Sequence, residues 1–224
     1  MNKILNCGFP HCGTTILKCI VGHCTNVDEI VNETYHIPSV SQKKKFTLCK
    51  WPFIHNSFFD KDYKDYIKIF IVRNPVYVFS SLNKRFQYNI PVNHSLPEYA
   101  KVLYRFKEIR EKGHNNTFVL RYEDIFPNNF QPLKQILSAI GLEYTDDIFN
   151  NAHYVNQVLT HLPLPGKEAP PNVQHEMYRN WQINQPFVSN NDPEKIDLVP
   201  RQKDYIRNSD LIVSVYPEVL NLIK

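Results

Sequence analysis

One stretch near the N-terminus limits the fold more than any other: Ile4-Leu5-Asn6-Cys7-Gly8-Phe9-Pro10-His11-Cys12-Gly13-Thr14-Thr15-Ile16-Leu17-Lys18. It begins apolar, turns through two glycines and a proline, and enters an apolar-periodic segment, which reads as strand, loop and helix. Gly8 and Gly13 stand with four residues between them, the spacing of a phosphate-cradling loop of the form GxxxxGK[ST]. Glycines there let backbone N–H groups turn inward around an anion, and the following helix presents its positive N-terminus to it. Thr14 occupies the place of the lysine that grips a nucleoside triphosphate. The loop suits a phosphate group but not the ATPase way of holding one. The plain alternative is a tight strand–turn–helix corner. Against it, Thr14 and Thr15 put two hydroxyls at a helix N-terminus, where they favour capping or anion binding.

Beyond this stretch, strands and helices alternate. Residues 16–23 are expected to form the first helix, and residues 27–37 are of mixed character. Phe46–Trp51 reads as a short buried strand stopped by Pro52. Residues 67–72, a near-continuous β-branched run, suit a parallel strand buried on both faces. It ends in Arg73-Asn74-Pro75, where Asn74 is a good N-cap and Pro75 a good first residue for a helix to about Tyr88. Leu96–Lys112 reads as an amphipathic helix closed by Gly113, residues 117–122 as the next strand, and residues 130–140 as a helix closed by Gly141. Glu123 and Asp124 follow that strand; adjacent strand residues point to opposite faces, so they read as structural rather than as a catalytic dyad. The pattern dissolves over residues 150–192, around a proline-rich run at 162–171, and two helices near 193–208 and 212–223 finish the chain. The expected fold is α/β, a mostly parallel central sheet flanked by helices, in one domain over residues 1–224.

Composition narrows the partners. A net charge of +4 fits local handling of anions better than wrapping a nucleic acid. The only basic run, Lys43-Lys44-Lys45, reads as a solvated loop. No segment approaches the ~20 apolar residues that span a bilayer, and Met1-Asn2-Lys3 leads straight into the first strand. A soluble cytoplasmic protein is expected. All five cysteines (Cys7, Cys12, Cys19, Cys24, Cys49) fall in the first 50 residues, with no CxxC pair, which points to reduced, mostly buried thiols rather than disulfides or zinc. Cys12, on the loop, would be reactive if the helix N-terminus lowered its pKa.

In parallel sheets, ligands bind beyond the carboxyl ends of the strands. Three places converge there: the glycine loop, Lys50 near the end of one strand, and Arg73 at the end of another. Ser81 lies eight residues after Arg73, two helical turns along, so the pair suits a second phosphate. Taken singly, Arg73 reads as a solvated strand cap and Ser81 as an ordinary helix serine.

With these residues in view, the sequence resembles the sulfotransferases that use 3′-phosphoadenosine 5′-phosphosulfate (PAPS). Gly8-Phe9-Pro10-His11-Cys12-Gly13-Thr14-Thr15 is similar to that family's 5′-phosphosulfate loop, and Val72-Arg73-Asn74-Pro75 through Ser81 to its 3′-phosphate motif. Leu120-Arg121-Tyr122-Glu123-Asp124-Ile125 and Gly141-Leu142 fit in the right order, so the resemblance spans about the first 145 residues. It implies a P-loop-like fold that binds PAPS, transfers its sulfuryl group to a hydroxyl or amine acceptor such as a small molecule or glycan, and releases PAP without a metal. Pro10, His11, Cys12, Gly13, Thr14 and Thr15 would surround the 5′-phosphate, with Arg73 and Ser81 on the 3′-phosphate.

The resemblance also carries a departure. Family members usually have Lys or Arg where this chain has His11, a cation for the leaving phosphate; an imidazole with an ordinary pKa near ~6.5 is mostly neutral at pH 7. Lys50 offers a firm charge instead, since Lys50-Trp51-Pro52 is similar to a Lys-Thr-Pro stretch of the carbohydrate enzymes. Lys18 reads as solvated. For the general base, Glu33 in Asn32-Glu33-Thr34-Tyr35 and His55 after the strand both remain candidates. Gly166-Lys167 would correspond to a basic loop closing over the 3′-phosphate, with His175, Tyr178, Arg179 and Trp181 beyond it. Trp51, Phe53, Phe58, Phe59, Phe86 and Tyr88 are candidates to line an acceptor site, although at these spacings they read as readily as core. Two other classes remain: a P-loop kinase, which would need Mg·ATP, and a nucleotide-binding module without turnover.

Overall fold

The structure, a computed structural model, describes residues 2–34, 44–53, 63–150 and 187–223. Its strands are β1 (Asn2–Gly8), β2 (Val27–Glu33), β3 (Phe46–Trp51), β4 (Tyr66–Val72) and β5 (Thr117–Arg121). They form a sheet in the order β2-β3-β1-β4-β5, and every pairing is parallel. Helices α1 (Thr14–Gly22), α2 (Pro75–Phe86), α3 (Leu96–Lys112), α4 (Pro127–Ile140), α5 (Pro200–Arg207), α6 (Asp210–Val215) and α7 (Val219–Leu222) cover it. The expected α/β architecture is the observed one. No described helix is long and apolar enough to cross a membrane.

Strand side chains alternate between faces, so two cores form. Ile4, Leu48, Ile69 and Ile71 pack with α1 (Ile16, Leu17, Ile20) and α4 (Leu133, Leu137). Leu5, Cys7, Cys49, Phe70 and Val72 pack with α2, α3 and the C-terminal helices. Burial on both faces is why the central strands read as unbroken apolar runs. The C-terminal segment is pinned across α2: Asn83 donates to the Asp197 carbonyl at 2.7 Å, and Asp197 N–H donates to Ser80 Oγ at 2.9 Å.

Several local features differ from expectation. The mixed segment after α1 is strand β2, whose Asp28 and Glu29 are tolerated because β2 ends the sheet among the described residues. Lys18 is buried rather than solvated, 2.7 Å from Glu29, because α1 lies on β2 with Gly22 against that carboxylate. In α4, Asn128, Asn129 and Phe130 have positive φ, so the regular helix starts just beyond them, in agreement with the helix expected over residues 130–140. Glu123 and Asp124 lie in a 3-10 turn (Tyr122–Asp124) instead of extending the strand. The last expected helices are shorter: Pro193–Lys195 is one 3-10 turn, Pro200 opens α5, and Pro217 separates α6 from α7.

The loop between β1 and α1 requires its two glycines. A Cβ on Gly8 would overlap the Ile71 carbonyl, and Gly13 turns at φ 91° with its Cα against the Tyr122 ring. Gly13→Ala should therefore cost at least about 1–2 kcal/mol from the left-handed backbone alone. The expected result is a lower urea midpoint with an unchanged m-value; an unshifted midpoint would show that the turn relaxes freely.

Candidate functional site

The C-terminal ends of β1, β3, β4 and β5 lie side by side, and the loop of residues 9–13 sits above them. Gly13 is the N-cap of α1, and no side chain caps that helix end. Its first-turn N–H groups and partial positive charge therefore face the loop, the geometry that favours an anion. Asn6 fixes the start of the helix from below, its Nδ2 donating to the Thr14 carbonyl at 2.8 Å. Thr14 is buried, whereas Thr15 keeps partial exposure at the mouth.

Arg73 is 8% exposed, so it is no solvated strand cap. Its Nε donates to Asn191 Oδ1 at 2.8 Å, its Nη1 to the His11 carbonyl at 3.2 Å, and its guanidinium lies 4.4 Å above the Tyr122 ring. Among the described residues no carboxylate forms a salt bridge with it. Glu123 approaches only through Asn191, whose Nδ2 donates to Glu123 Oε1 at 2.9 Å. Burial pushes the Glu123 carboxyl up, against the Asn74 N–H that donates to it. A buried cation held by neutral oxygens and a ring is an anion site in waiting, because its desolvation is offset only in part.

Ser81 joins the same group. His11, in left-handed backbone at φ 66°, places Nδ1 2.6 Å from Ser81 Oγ. The loop and the Arg73–Ser81 motif, far apart in sequence, thus meet on one residue. On the other side of the loop, Lys50 Nζ donates to Thr15 Oγ1 at 2.9 Å and pairs with Glu33 Oε1 at 2.8 Å. Glu33 and Lys50 are cross-strand neighbours, brought into line by an irregularity in the β2–β3 register after Glu29. The structure therefore joins Lys50, Glu33 and Thr15 in one group, and His11, Arg73 and Ser81 in another.

Other expectations fare differently. Cys12 is fully buried in the core beneath the loop, in line with the expected buried thiols, and burial pushes its thiol far up, so the condition for a reactive thiolate is not met. Only its backbone belongs to the turn, its N–H donating to the Phe9 carbonyl at 3.2 Å. Pro10 lies in the same turn. His55, Phe58, Phe59, Gly166, Lys167, His175, Tyr178, Arg179 and Trp181 lie outside the described residues. Of the aromatic candidates, Tyr88 is exposed and donates to Asp197, whereas Trp51, Phe53 and Phe86 gather beside the loop. His94 sits among them, its ring 5.3 Å from both Phe53 and Phe86 and 6.5 Å from Phe9.

The residues that sequence reading passed over are Asn191, His94 and Arg85. Arg85 Nη1 lies 3.3 Å from His11 Nε2. Its position one turn after Ser81 on α2 was a usable signal; Asn191 and His94 gave none, because tertiary packing alone brings them here.

The imidazole of His11 is pushed down to about 3, by burial first, then by Arg85, Arg73, His94 and Lys50. It is neutral at pH 7. Since the unfolded chain binds that proton near pH ~6.5, the unfolded state holds more protons than the folded one between the two values. Stability is thus fully present above pH ~6.5 and falls as pH drops toward 3. His94, lowered by burial and Arg85, adds to the same slope. His11→Gln should flatten the fall of the thermal midpoint between pH 6.5 and 4; a variant as pH-sensitive as the parent would refute this assignment.

No family model and no curated protein matches the sequence. Among solved structures, the mouse sulfotransferase SULT7A1 complexed with PAP aligns over 96% of this chain and 88% of that chain, at 15% identity and a TM-score of 0.56. Retinol dehydratase in complex with retinol and PAP aligns over 99% of this chain and 81% of that one, at 10% identity and a TM-score of 0.45. The chain has the sulfotransferase fold.

Proposed function

We propose that this chain is a sulfotransferase that binds PAPS and transfers its sulfuryl group to a hydroxyl or amine acceptor. The observation that carries the reading is the meeting of two phosphate motifs on one residue: Arg73 donates to the His11 carbonyl, and Ser81 contacts the His11 ring. The residues fit a nucleotide with two separated phosphates. The glycine loop and the uncapped N-terminus of α1 suit the 5′-phosphate, and Arg73, buried without a carboxylate partner among the described residues, suits the 3′-phosphate with Ser81. Thr14 in place of a lysine is then no defect, because no triphosphate has to be gripped.

When bound, PAPS supplies an activated sulfuryl group, and its transfer leaves PAP. The chain's own work is positioning and electrostatics. Thr15 Oγ1, held by Lys50, fixes the loop side, and Lys50 brings a positive charge there. Glu33, kept beside Lys50 by their ion pair, accepts the proton that the acceptor oxygen or nitrogen loses as it attacks sulfur. The α1 N-terminus and the glycine loop would hold the 5′-phosphate on which the leaving charge collects. The nest of Trp51, Phe53, Phe86 and His94 forms an aromatic wall beside the loop, suited to the flat face of a phenol or a sugar ring.

Calorimetric titration with PAP, against Mg·ATP and AMP, tests the reading. Wild-type protein should bind PAP, and Arg73→Ala should lose on the order of 10- to 100-fold in affinity, as expected for a charge-assisted contact. Preference for Mg·ATP would replace the reading with a kinase, and PAP binding without turnover on a wide acceptor panel would leave a binding module. Among the variants, Glu33→Gln should abolish turnover with PAP affinity kept; if His55→Asn does so instead, His55 is the base.

A further inference from the structure

Arg73 and Glu123 are joined by a neutral go-between. Asn191 Oδ1 accepts from Arg73 Nε at 2.8 Å, while Asn191 Nδ2 donates to Glu123 Oε1 at 2.9 Å. The Asn74 N–H donates to the same Oε1, also at 2.9 Å. The second carboxylate oxygen, Oε2, is shut away from solvent with no hydrogen-bond partner among the described residues. Leaving an ionised oxygen buried and unbonded costs more than leaving a neutral one. The guanidinium is incompletely used as well. Nε and Nη1 donate to Asn191 and to the His11 carbonyl, and no carboxylate closes on it among the described residues. A buried base and a buried acid thus meet on one amide, each with bonding capacity left over.

Burial pushes the Glu123 carboxyl up, and the Asn74 and Asn191 donors and the Arg73 charge pull it back. Arg121, the other guanidinium that acts on this neighbourhood, is engaged by Asp124 at 3.1 and 3.2 Å. Tyr77 on α2, Tyr99 on α3, Tyr122 beside Glu123 and Tyr216 after α6 are phenols raised by burial, and so is the Cys12 thiol; all stay neutral. Glu218, which accepts from Asn74 Nδ2 at 3.3 Å, and Asp192 add negative charge on that side. The ionised state of Glu123 therefore leans on Arg73, and an anion on that guanidinium would offset its pull and add repulsion of its own. We infer that Glu123 is a positioning residue for an anion site at Arg73: it presents the guanidinium through Asn191 and takes up a proton as the anion docks. This rests on the sulfotransferase reading above, which puts a 3′-phosphate on Arg73. Oε1 already accepts two N–H groups, so Oε2 is the atom open to the proton, which comes from solvent and returns there when the nucleotide leaves.

Calorimetric titrations of PAP, 3′-AMP and 5′-AMP in two buffers of unequal ionisation enthalpy, between about pH 5 and 8, count the protons exchanged on binding. The phosphate's own ionisation near pH ~6 is common to wild type and Glu123→Gln, so the difference between them belongs to residue 123. Glu123→Gln keeps an acceptor for both N–H groups and carries no charge. Wild type should take up more protons than Glu123→Gln with PAP and 3′-AMP, by up to about one per nucleotide, and no more with 5′-AMP. At pH ~8, Glu123→Gln should bind PAP and 3′-AMP on the order of three- to tenfold more tightly than wild type, because each pKa unit between the free and the bound acid is tenfold in affinity. Glu123→Ala, which removes the acceptor, should weaken both. Equal proton uptake in wild type and Glu123→Gln, or weaker binding in Glu123→Gln as in Glu123→Ala, would overturn the inference, while PAP binding by wild type left the sulfotransferase reading intact. If Glu123→Gln does not fold, wild type alone decides: proton uptake with 3′-AMP no greater than with 5′-AMP overturns the inference. Failure of wild type to bind PAP would overturn both.

Discussion

The buried guanidinium of Arg73 is the constraint on which the rest of the site depends. It directly follows β4, and three separate parts of the chain close around it. The glycine loop gives a carbonyl, the turn after β5 gives the ring of Tyr122, and the C-terminal segment gives Asn191, while Tyr99 of α3 donates to the main-chain carbonyl of Arg73 at 2.6 Å. Removing a cation from water is costly unless its donors are satisfied. The loop, the turn after β5 and the C-terminal segment must all arrive correctly for that cost to be offset, so the site's geometry and the packing of the C-terminal edge are one requirement.

Around that residue the charges are divided. Lys50 and Glu33 form a pair that can hold a proton-accepting group next to a cation without a net charge. Arg73 is surrounded by neutral partners instead, and Asn191 keeps Glu123 from pairing with it directly by donating to the acid and accepting from the base. An amide between two opposite charges leaves the cation available to a ligand while still giving the carboxylate a partner. The neutral His11 ring suits the same logic, because a second buried cation beside Arg73 would be repelled by it.

Local physics made much of this legible in the sequence. The β1–loop–α1 turn, the buried strand before Arg73, and Asn74 accepting from Val76 N–H at the head of α2 all depend on residues close in the chain. Arg73 and Ser81 were visible as a pair because helical spacing relates them. The rest was hidden by tertiary contact. Lys18 looks like any surface lysine until β2 is laid on α1, and β2 itself looks like a polar linker until it is seen at the end of a sheet. Asn191 lies more than a hundred residues from Arg73, with nothing in its surroundings to announce the bond. Cys12 could be decided only in the folded chain: a helix N-terminus lowers a thiol's pKa only when the thiol is solvated enough to ionise, and this one points down into the core.

That orientation gives the loop a concealed reporter. The folded loop keeps the Cys12 sulfur protonated and buried; local unfolding of the turn would expose it to an alkylating reagent at a rate set by that unfolding. A ligand that clamps the Gly8–Gly13 turn would slow that rate, whichever nucleotide it is. The motion of the site can thus be timed from within, by one sulfur atom that the chemistry never uses.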